Sequence, residues 1–219
     1  MSESMMLDVE IGFVESYDEV LDFVGDMTSE VLKQVYKQYV AELKSLNAPE
    51  LKLPDDNKVP RLTVAEIHDM YTKATKTDTT HEKDLTPDEE KWICDYARKK
   101  LNSDLIYVTE FPLSTHKFYQ KKNDDGKTVL SADLLFRGVE ISTVPMREND
   151  YETLIKQMKD QGIDPEDPGF KYYLQAFQYG LPAHGGGGFG IDRFVQKLVG
   201  LSNVKEATLF PRDINRLTP

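Results

Sequence analysis

Two stretches of this chain hold residue types at spacings that suit chemistry. The first runs His184-Gly-Gly-Gly-Gly-Phe-Gly-Ile-Asp-Arg193. Glycine has no Cβ, so such a ribbon lets a planar or phosphorylated ligand lie against the main chain. Arg193 ends the ribbon with a permanently charged fork of N–H donors suited to phosphate oxygens. Phe194, Val195, Leu198 and Val199 follow as two i,i+4 pairs, and Gly200 stands where a helix-ending glycine belongs. The segment reads as a nucleotide site made from a strand and a helix start, with Gly190, Ile191, Asp192 and Arg193 at the junction. A flexible glycine linker is the competing reading. Gly185, Gly187 and Gly190 match G-x-G-x-x-G, but the second strand and closing acid of a dinucleotide fold do not follow. Lys-Ser or Lys-Thr is also missing after the glycines, which excludes a Walker loop.

The second stretch holds Asp133, Glu140 and Arg147. With Arg137-Gly138 as a two-residue hairpin turn, Leu135 faces Glu140 and Asp133 faces Ser142. Asp133 and Glu140 then share one sheet face as diagonal neighbours. Two such acids repel unless a cation joins them, and hard oxygen donors suit Mg²⁺. A solvated strand face with two unrelated acids is the alternative at this point, and an arginine at a positive-φ turn position is uncommon.

The elements that must position these residues form an α+β pattern. Leu7, Val9, Ile11 and Phe13 alternate with polar residues and glycine, predicting a strand. Ser16 and Glu19 suit a capping box before one long helix reaching Leu43. Residues 47–60 read as loop, Thr63 as the cap of a helix to about Lys73, and the threonine-rich run 73–83 as a loop. Thr86-Pro-Asp-Glu89 is a strong start signal for a helix to about Leu101. Strands are expected at 105–109, 129–136 and 139–144, and helices at 151–161 and 168–179. Strands and helices do not alternate as βαβ units, so the expected sheet is antiparallel and flanked by helices.

Composition narrows the function classes. The chain has 219 residues, 39% of them hydrophobic and 30% charged, enough for a globular core. Its single cysteine, Cys94, lies in a helical pattern and reads as a small core residue. One cysteine and four histidines argue against a zinc site. A net charge of −11 disfavours a freestanding nucleic-acid binder, although residues 185–219 carry five Lys/Arg against three Asp/Glu. No apolar run suits a membrane span and no leader pattern opens the chain, so a cytoplasmic location is expected.

The segment Gly188-Phe-Gly-Ile-Asp-Arg193, with Gly200-Leu-Ser-Asn-Val204, Leu209-Phe-Pro-Arg-Asp213 and the Arg216-Leu-Thr-Pro219 ending, resembles the third signature motif of class II aminoacyl-tRNA synthetases. The form is that of aspartyl-tRNA synthetases of archaeal and eukaryotic type, and similarity extends upstream through Leu7-Asp-Val-Glu-Ile-Gly-Phe-Val-Glu-Ser16 and Pro60-Arg-Leu-Thr63. The resemblance implies that Asp133 and Glu140 hold Mg²⁺ on ATP, that Thr143 touches the metal or the substrate, and that Arg147 grips the aspartate side chain. It implies further that Arg193 neutralises phosphate charge and that Gly190, Ile191 and Asp192 line the nucleotide; His184 reads equally as a residue near the amino acid or as a structural histidine before the glycine strand. Glu140, Thr143 and Arg147 stand 53, 50 and 46 residues before Arg193, the separations of the family. One departure is Ser142-Thr-Val-Pro-Met-Arg147, where the family has the smaller Ser-Gly-x-Gln-Arg; weaker amino-acid binding is the expectation.

The resemblance covers the C-terminal part of the family's catalytic domain, residues 1–219 matching from the tail of the second motif to the third. The first motif, the second motif's arginine and the anticodon-reading barrel have no counterpart in these residues. Implied partners are ATP, aspartate and a tRNA acceptor end, together with a homodimer mate or a complementing N-terminal half. Such a chain is expected to expose sheet edges and apolar surface, and to be inactive alone. A non-catalytic paralogue or an asparaginyl-specific relative are the rival readings; the Arg147 spacing and the Arg-Leu-Thr-Pro ending argue against the second.

Overall fold

The computed structural model describes residues 1–54, 56 and 58–218. Two positions of the expected 47–60 loop, and the proline closing the Arg-Leu-Thr-Pro ending, lie outside the described residues. A six-stranded sheet forms the centre, with spatial order β1-β6-β5-β4-β3-β2. Its strands are β1 (Met6–Gly12), β2 (Arg61–Thr63), β3 (Leu105–Thr109), β4 (Ser131–Phe136), β5 (Val139–Pro145) and β6 (His184–Gly190). All neighbours pair antiparallel except β2 and β3, which run parallel. The expected α+β arrangement of an antiparallel sheet flanked by helices is present, and its one parallel pair, β2–β3, makes the sheet mixed. Arg61–Thr63, at three residues, is too short for a period-2 signal, yet it pairs with Tyr107–Thr109.

Helices cover both faces. α1 (Tyr17–Gln38) is followed by a separate α2 (Val40–Ser45), because Tyr39 leaves helical geometry at φ −114°, ψ 38°. Only half of the expected capping box forms at α1. Ser16 Oγ accepts the Glu19 amide, but Glu19 returns to the amide of Glu15 rather than that of Ser16. Val20, Leu21, Val24 and Leu32 of α1 pack on one sheet face against Leu105, Tyr107, Leu134, Phe136, Val144 and Phe189, all buried. On the other face α3 (Val64–Thr75) and α4 (Pro87–Lys100) set Ile67, Ile93 and Ala97 against Ile106, Val108 and Leu135. Cys94 joins this second core, as expected. Burying each large aliphatic side chain stabilises by about 1.5–3 kcal/mol, so the two faces fix strand register firmly.

α5 (Tyr151–Asp160) and α6 (Lys171–Gln178) enclose a smaller cluster of Leu154, Met158, Leu174 and Phe177. α7 (Ile191–Val199) stacks Phe194 on Phe136 with ring centroids 5.5 Å apart, then stops at Gly200, whose φ of 76° is left-handed. The β4–β5 hairpin does place Arg137 at positive φ, 48°. Its guanidinium bonds the buried Asp104 at 2.7 and 3.0 Å and the carbonyls of Leu198 and Glu50 at 3.0 Å each. Those bonds offset a backbone cost of about 1 kcal/mol.

β1 is an open edge with Met6 and Leu7 exposed, and Leu209 and Phe210 are exposed near the other end of the chain. Among the described residues no helix is long and apolar enough to cross a membrane.

Candidate active site

The glycine run is a strand interior to the sheet, paired with β1 along its full length and with β5 in part. Its glycines are required by space on both faces. A Cβ at Gly186 would overlap the Val9 carbonyl and the Glu10 carboxylate, and one at Gly188 would lie 2.7 Å from Asp8 Oδ1. On the opposite face a Cβ at Gly185 would stand 2.9 Å from Val20 of α1. The ribbon therefore brings α1 close from below and leaves Glu10, Gly186, Gly188 and Thr143 in one low floor above.

Where β6 ends, α7 begins, and Arg193 in its first turn reaches across to β5. Its guanidinium donates to the Glu140 carbonyl at 3.1 Å and stands 3.6 Å from Glu140 Oε2. More than half of the Arg193 side chain stays exposed. Glu140, Gly188, Gly190, Asp192 and Arg193 line a cavity of about 450 Å³ facing Met6. Ile191 and Asp192 also tie down the chain entering β1. The Ile191 amide donates to the Met5 carbonyl at 3.0 Å, and Asp192 Oδ2 accepts the Met5 amide at 2.9 Å.

The hairpin register differs from the expected one in a single step. Leu135 does face Glu140, but Asp133 faces Thr143 rather than Ser142, because a bulge at Ile141 shifts the pairing. The shift keeps Asp133 and Glu140 on one face and adds Thr143 to it. The Thr143 hydroxyl donates to Glu140 Oε1 at 2.8 Å and lies in hydrogen-bonding reach of Asp133. Burial, then the neighbouring Glu140 charge, push the Asp133 carboxyl up to about 8. Asp84 and Glu90 add to the negative field there, and burial and Glu140 raise Glu90 as well.

Two carboxylates and a hydroxyl are a hard-oxygen donor set, and the raised Asp133 marks a place where positive charge is in deficit. Among the described residues no group of three His, Cys, Asp or Glu is gathered as a metal cage. Mg²⁺ needs none, because it usually takes one or two carboxylates and completes its shell with phosphate oxygens and water. The residues fit such an ion.

Arg147 lies at the far end of β5. Its Nε donates to Glu10 Oε1 at 2.6 Å, and its guanidinium stacks over Tyr119 at 5.1 Å. Together with His184, Phe118, Phe170 and Tyr173 this pair walls a second cavity of about 450 Å³. His184 Nδ1 donates to the Pro182 carbonyl at 2.9 Å, which fixes the ring on that wall. Val144 and Met146 turn away into the α1 core. Pro145 alternates to the ligand face between Thr143 and Arg147, so the departure from Ser-Gly-x-Gln-Arg reaches the ligand side mainly through Pro145. Proline has no N–H, and the β5–β6 pairing lapses between Thr143/Gly188 and Met146/Gly185.

Sequence reasoning missed Glu10, Asp84, Glu90 and Tyr119. Glu10 was legible from the alternation of β1, whose polar face meets the glycines; the other three arrive from loops and helix ends with no periodic signal.

Residues 1–214, which contain the glycine strand, the acidic hairpin and the Arg193 helix, match the model of one family, "tRNA synthetases class II (D, K and N)". The chain belongs to this family. It is 37% identical over 219 residues to the aspartate–tRNA(Asp/Asn) ligase of Thermus thermophilus, covering all of this chain and 50% of the relative. It is 34% identical to the aspartate–tRNA(Asp) ligase of Pyrococcus abyssi, covering 49% of that protein. Among solved structures, the aspartyl-tRNA synthetase of Entamoeba histolytica superposes with a TM-score of 0.88 at 30% identity, over 99% of this chain and 44% of the other. The asparaginyl-tRNA synthetase of the same organism, in complex with asparaginyl-adenylate, gives 0.85 at 27% identity, over 99% and 48%. The chain thus spans about half the length of the curated relatives it matches.

Proposed function

We propose that this chain carries the metal, phosphate and amino-acid half of an aspartate–tRNA ligase site. The supporting observation is that Glu140, Thr143, Gly188, Gly186, Glu10 and Arg147 share one sheet face. Arg193 closes one end of that face and His184 the other. In this reading Asp133, Glu140 and Thr143 hold Mg²⁺, which when bound draws ATP phosphate oxygens together and screens their charge. Arg193 takes up the charge of the distal phosphates, and the glycine floor lets the nucleotide lie flat on the backbone.

At the other end Arg147 receives the side-chain carboxylate of aspartate, and Glu10 keeps the guanidinium in place until it does. A neutral competitor would leave the Arg147 charge poorly paired, which is a physical basis for selecting an acid. The α-carboxylate of aspartate attacks the α-phosphorus of ATP in line; the P–O bond to pyrophosphate breaks and aspartyl-adenylate forms. The aspartyl group then passes to a terminal ribose hydroxyl of tRNA, and AMP leaves. No protein nucleophile takes part, so catalysis rests on positioning and charge stabilisation.

Aspartate-dependent exchange of pyrophosphate into ATP tests this reading. The expected result is little exchange by the 219 residues alone and robust exchange when an upstream half bearing the second motif's arginine is supplied. Exchange driven by asparagine instead of aspartate, or none in the complemented protein, would overturn it. The rival non-catalytic reading draws on Pro145, which interrupts the strand pairing within the site.

A further inference from the structure

Glu89, the third residue of α4, takes no part in the chemistry above, yet its side chain has no solvent exposure. Four donors converge on it. Oε1 lies 2.7 Å from His68 Nδ1 of α3 and accepts the Thr79 hydroxyl at 2.5 Å. Oε2 accepts the amide and hydroxyl of Thr86 at 2.9 and 3.0 Å. Among the described residues His68 Nε2 is buried without a partner, so Nδ1 is the ring atom that donates, to Glu89. A carboxylate at this depth is tolerated because both oxygens are satisfied.

The start of α3 supplies an internal control. There Glu66 closes the same capping box, but it is exposed and bonds only Thr63. Capping a helix therefore does not require what Glu89 does. Its two extra partners come from a neighbouring helix and from the connection 76–86, whose residues 76–84 are exposed except for Thr79. Beyond Thr79 that connection carries Asp84, which lines a cavity of about 380 Å³ with Asp133 and Thr143. Immediately after Glu89 comes Glu90, which senses the charges of Glu140 and Arg193.

We propose that Glu89, His68 and Thr79 are positioning residues, a buried latch that holds the connection 76–86 and the first turn of α4 so that Asp84 and Glu90 face the Asp133–Glu140 pair. Those two further acids deepen the negative potential that draws a divalent cation to the hairpin. The inference rests on the metal reading of Asp133 and Glu140 given above.

The test is Mn²⁺ binding to the whole chain, followed by the electron paramagnetic resonance signal of free Mn²⁺. Thr79→Val, which removes one bond at nearly constant volume, and Asp84→Asn should each weaken binding about three- to tenfold. Thr79→Ser, which keeps the hydroxyl, and Glu66→Gln, which alters only the control box, should leave binding as in the parent. Glu140→Gln in the same titration separates the two ideas. If Glu140→Gln abolishes binding while Thr79→Val and Asp84→Asn, folded by circular dichroism, bind normally, the latch is wrong and the metal site stands. If Glu140→Gln changes nothing, or the parent chain binds no Mn²⁺, the metal reading fails and the latch with it.

Discussion

At one end of the β5–β6 face Arg147 already holds a carboxylate at 2.6 Å; at the other, Arg193 leaves Glu140 Oε2 3.6 Å away while Asp133, Glu90 and Asp84 crowd behind it. The first end is a neutral pair walled by aromatic rings, which holds its guanidinium in one pose through Tyr119 and Glu10. The second has acids in excess and one arginine that is more than half exposed. A site of the first kind exchanges one carboxylate partner for another. A site of the second kind attracts a cation first, and the bound cation in turn attracts a polyanion. In the proposed reading the same arginine chemistry serves selection at one end and charge neutralisation at the other.

The largest test of this contrast is to remove each arginine in the complemented enzyme. Arg193→Ala should lower exchange about 10²–10³-fold through the ATP term, with aspartate KM little changed. Arg147→Ala should cost a similar factor through the aspartate term and spare ATP binding. Steady-state kinetics with each substrate varied in turn reads the split, and equal losses on both substrates would dissolve the contrast.

A smaller effect separates the two ends by pH. Asp133 in the folded chain sits at about 8, above its unfolded value near ~3.9. Its contribution to stability is therefore fully present below about pH 4 and is lost as pH rises through 8. Asp133→Asn cannot ionise and should raise the melting temperature at pH 8 by several degrees, with the gap closing toward pH 4. Thermal scans in metal-free buffer check this, and a gap of the same size at both pH values would refute it.

The smallest expected effect is at Pro145. Pro145→Gly restores an N–H to the lapsed β5–β6 pairing and clears the floor between Thr143 and Arg147. Aspartate KM should fall by a factor of about three, with ATP KM constant. A rise in aspartate KM would mean that the proline shapes the pocket rather than obstructing it.

Local signals made much of this legible in the sequence. The caps at Thr63 and Thr86, the strand at Leu105–Thr109 and the Gly200 stop are all written in a few adjacent residues. The hairpin turn at Arg137-Gly138 was legible, but its bulge was not, because an extra residue leaves no mark when Ile141 is as apolar as its neighbours. The positive φ of Arg137 is sustained by Asp104, Leu198 and Glu50, distant residues that no local pattern couples to it. Likewise β2 exists because β3 offers it an edge, and the break at Tyr39 interrupts a stripe that reads as continuous. At the site, motif positions were legible one by one. Partners that arrive through tertiary packing, Tyr119 on Arg147 and Asp84 near Asp133, were not.

The bulge at Ile141 decides what accompanies the acidic pair rather than the pair itself. Without the bulge the two strands would run in step, Asp133 and Glu140 would still share a face, and Ser142 would stand where Thr143 does. Every position beyond it would change sides: Val144 and Met146 would leave the α1 core for the ligand face, and Arg147 would turn away from Glu10. One unpaired aliphatic residue at the acidic end thus sets the phase of the arginine end.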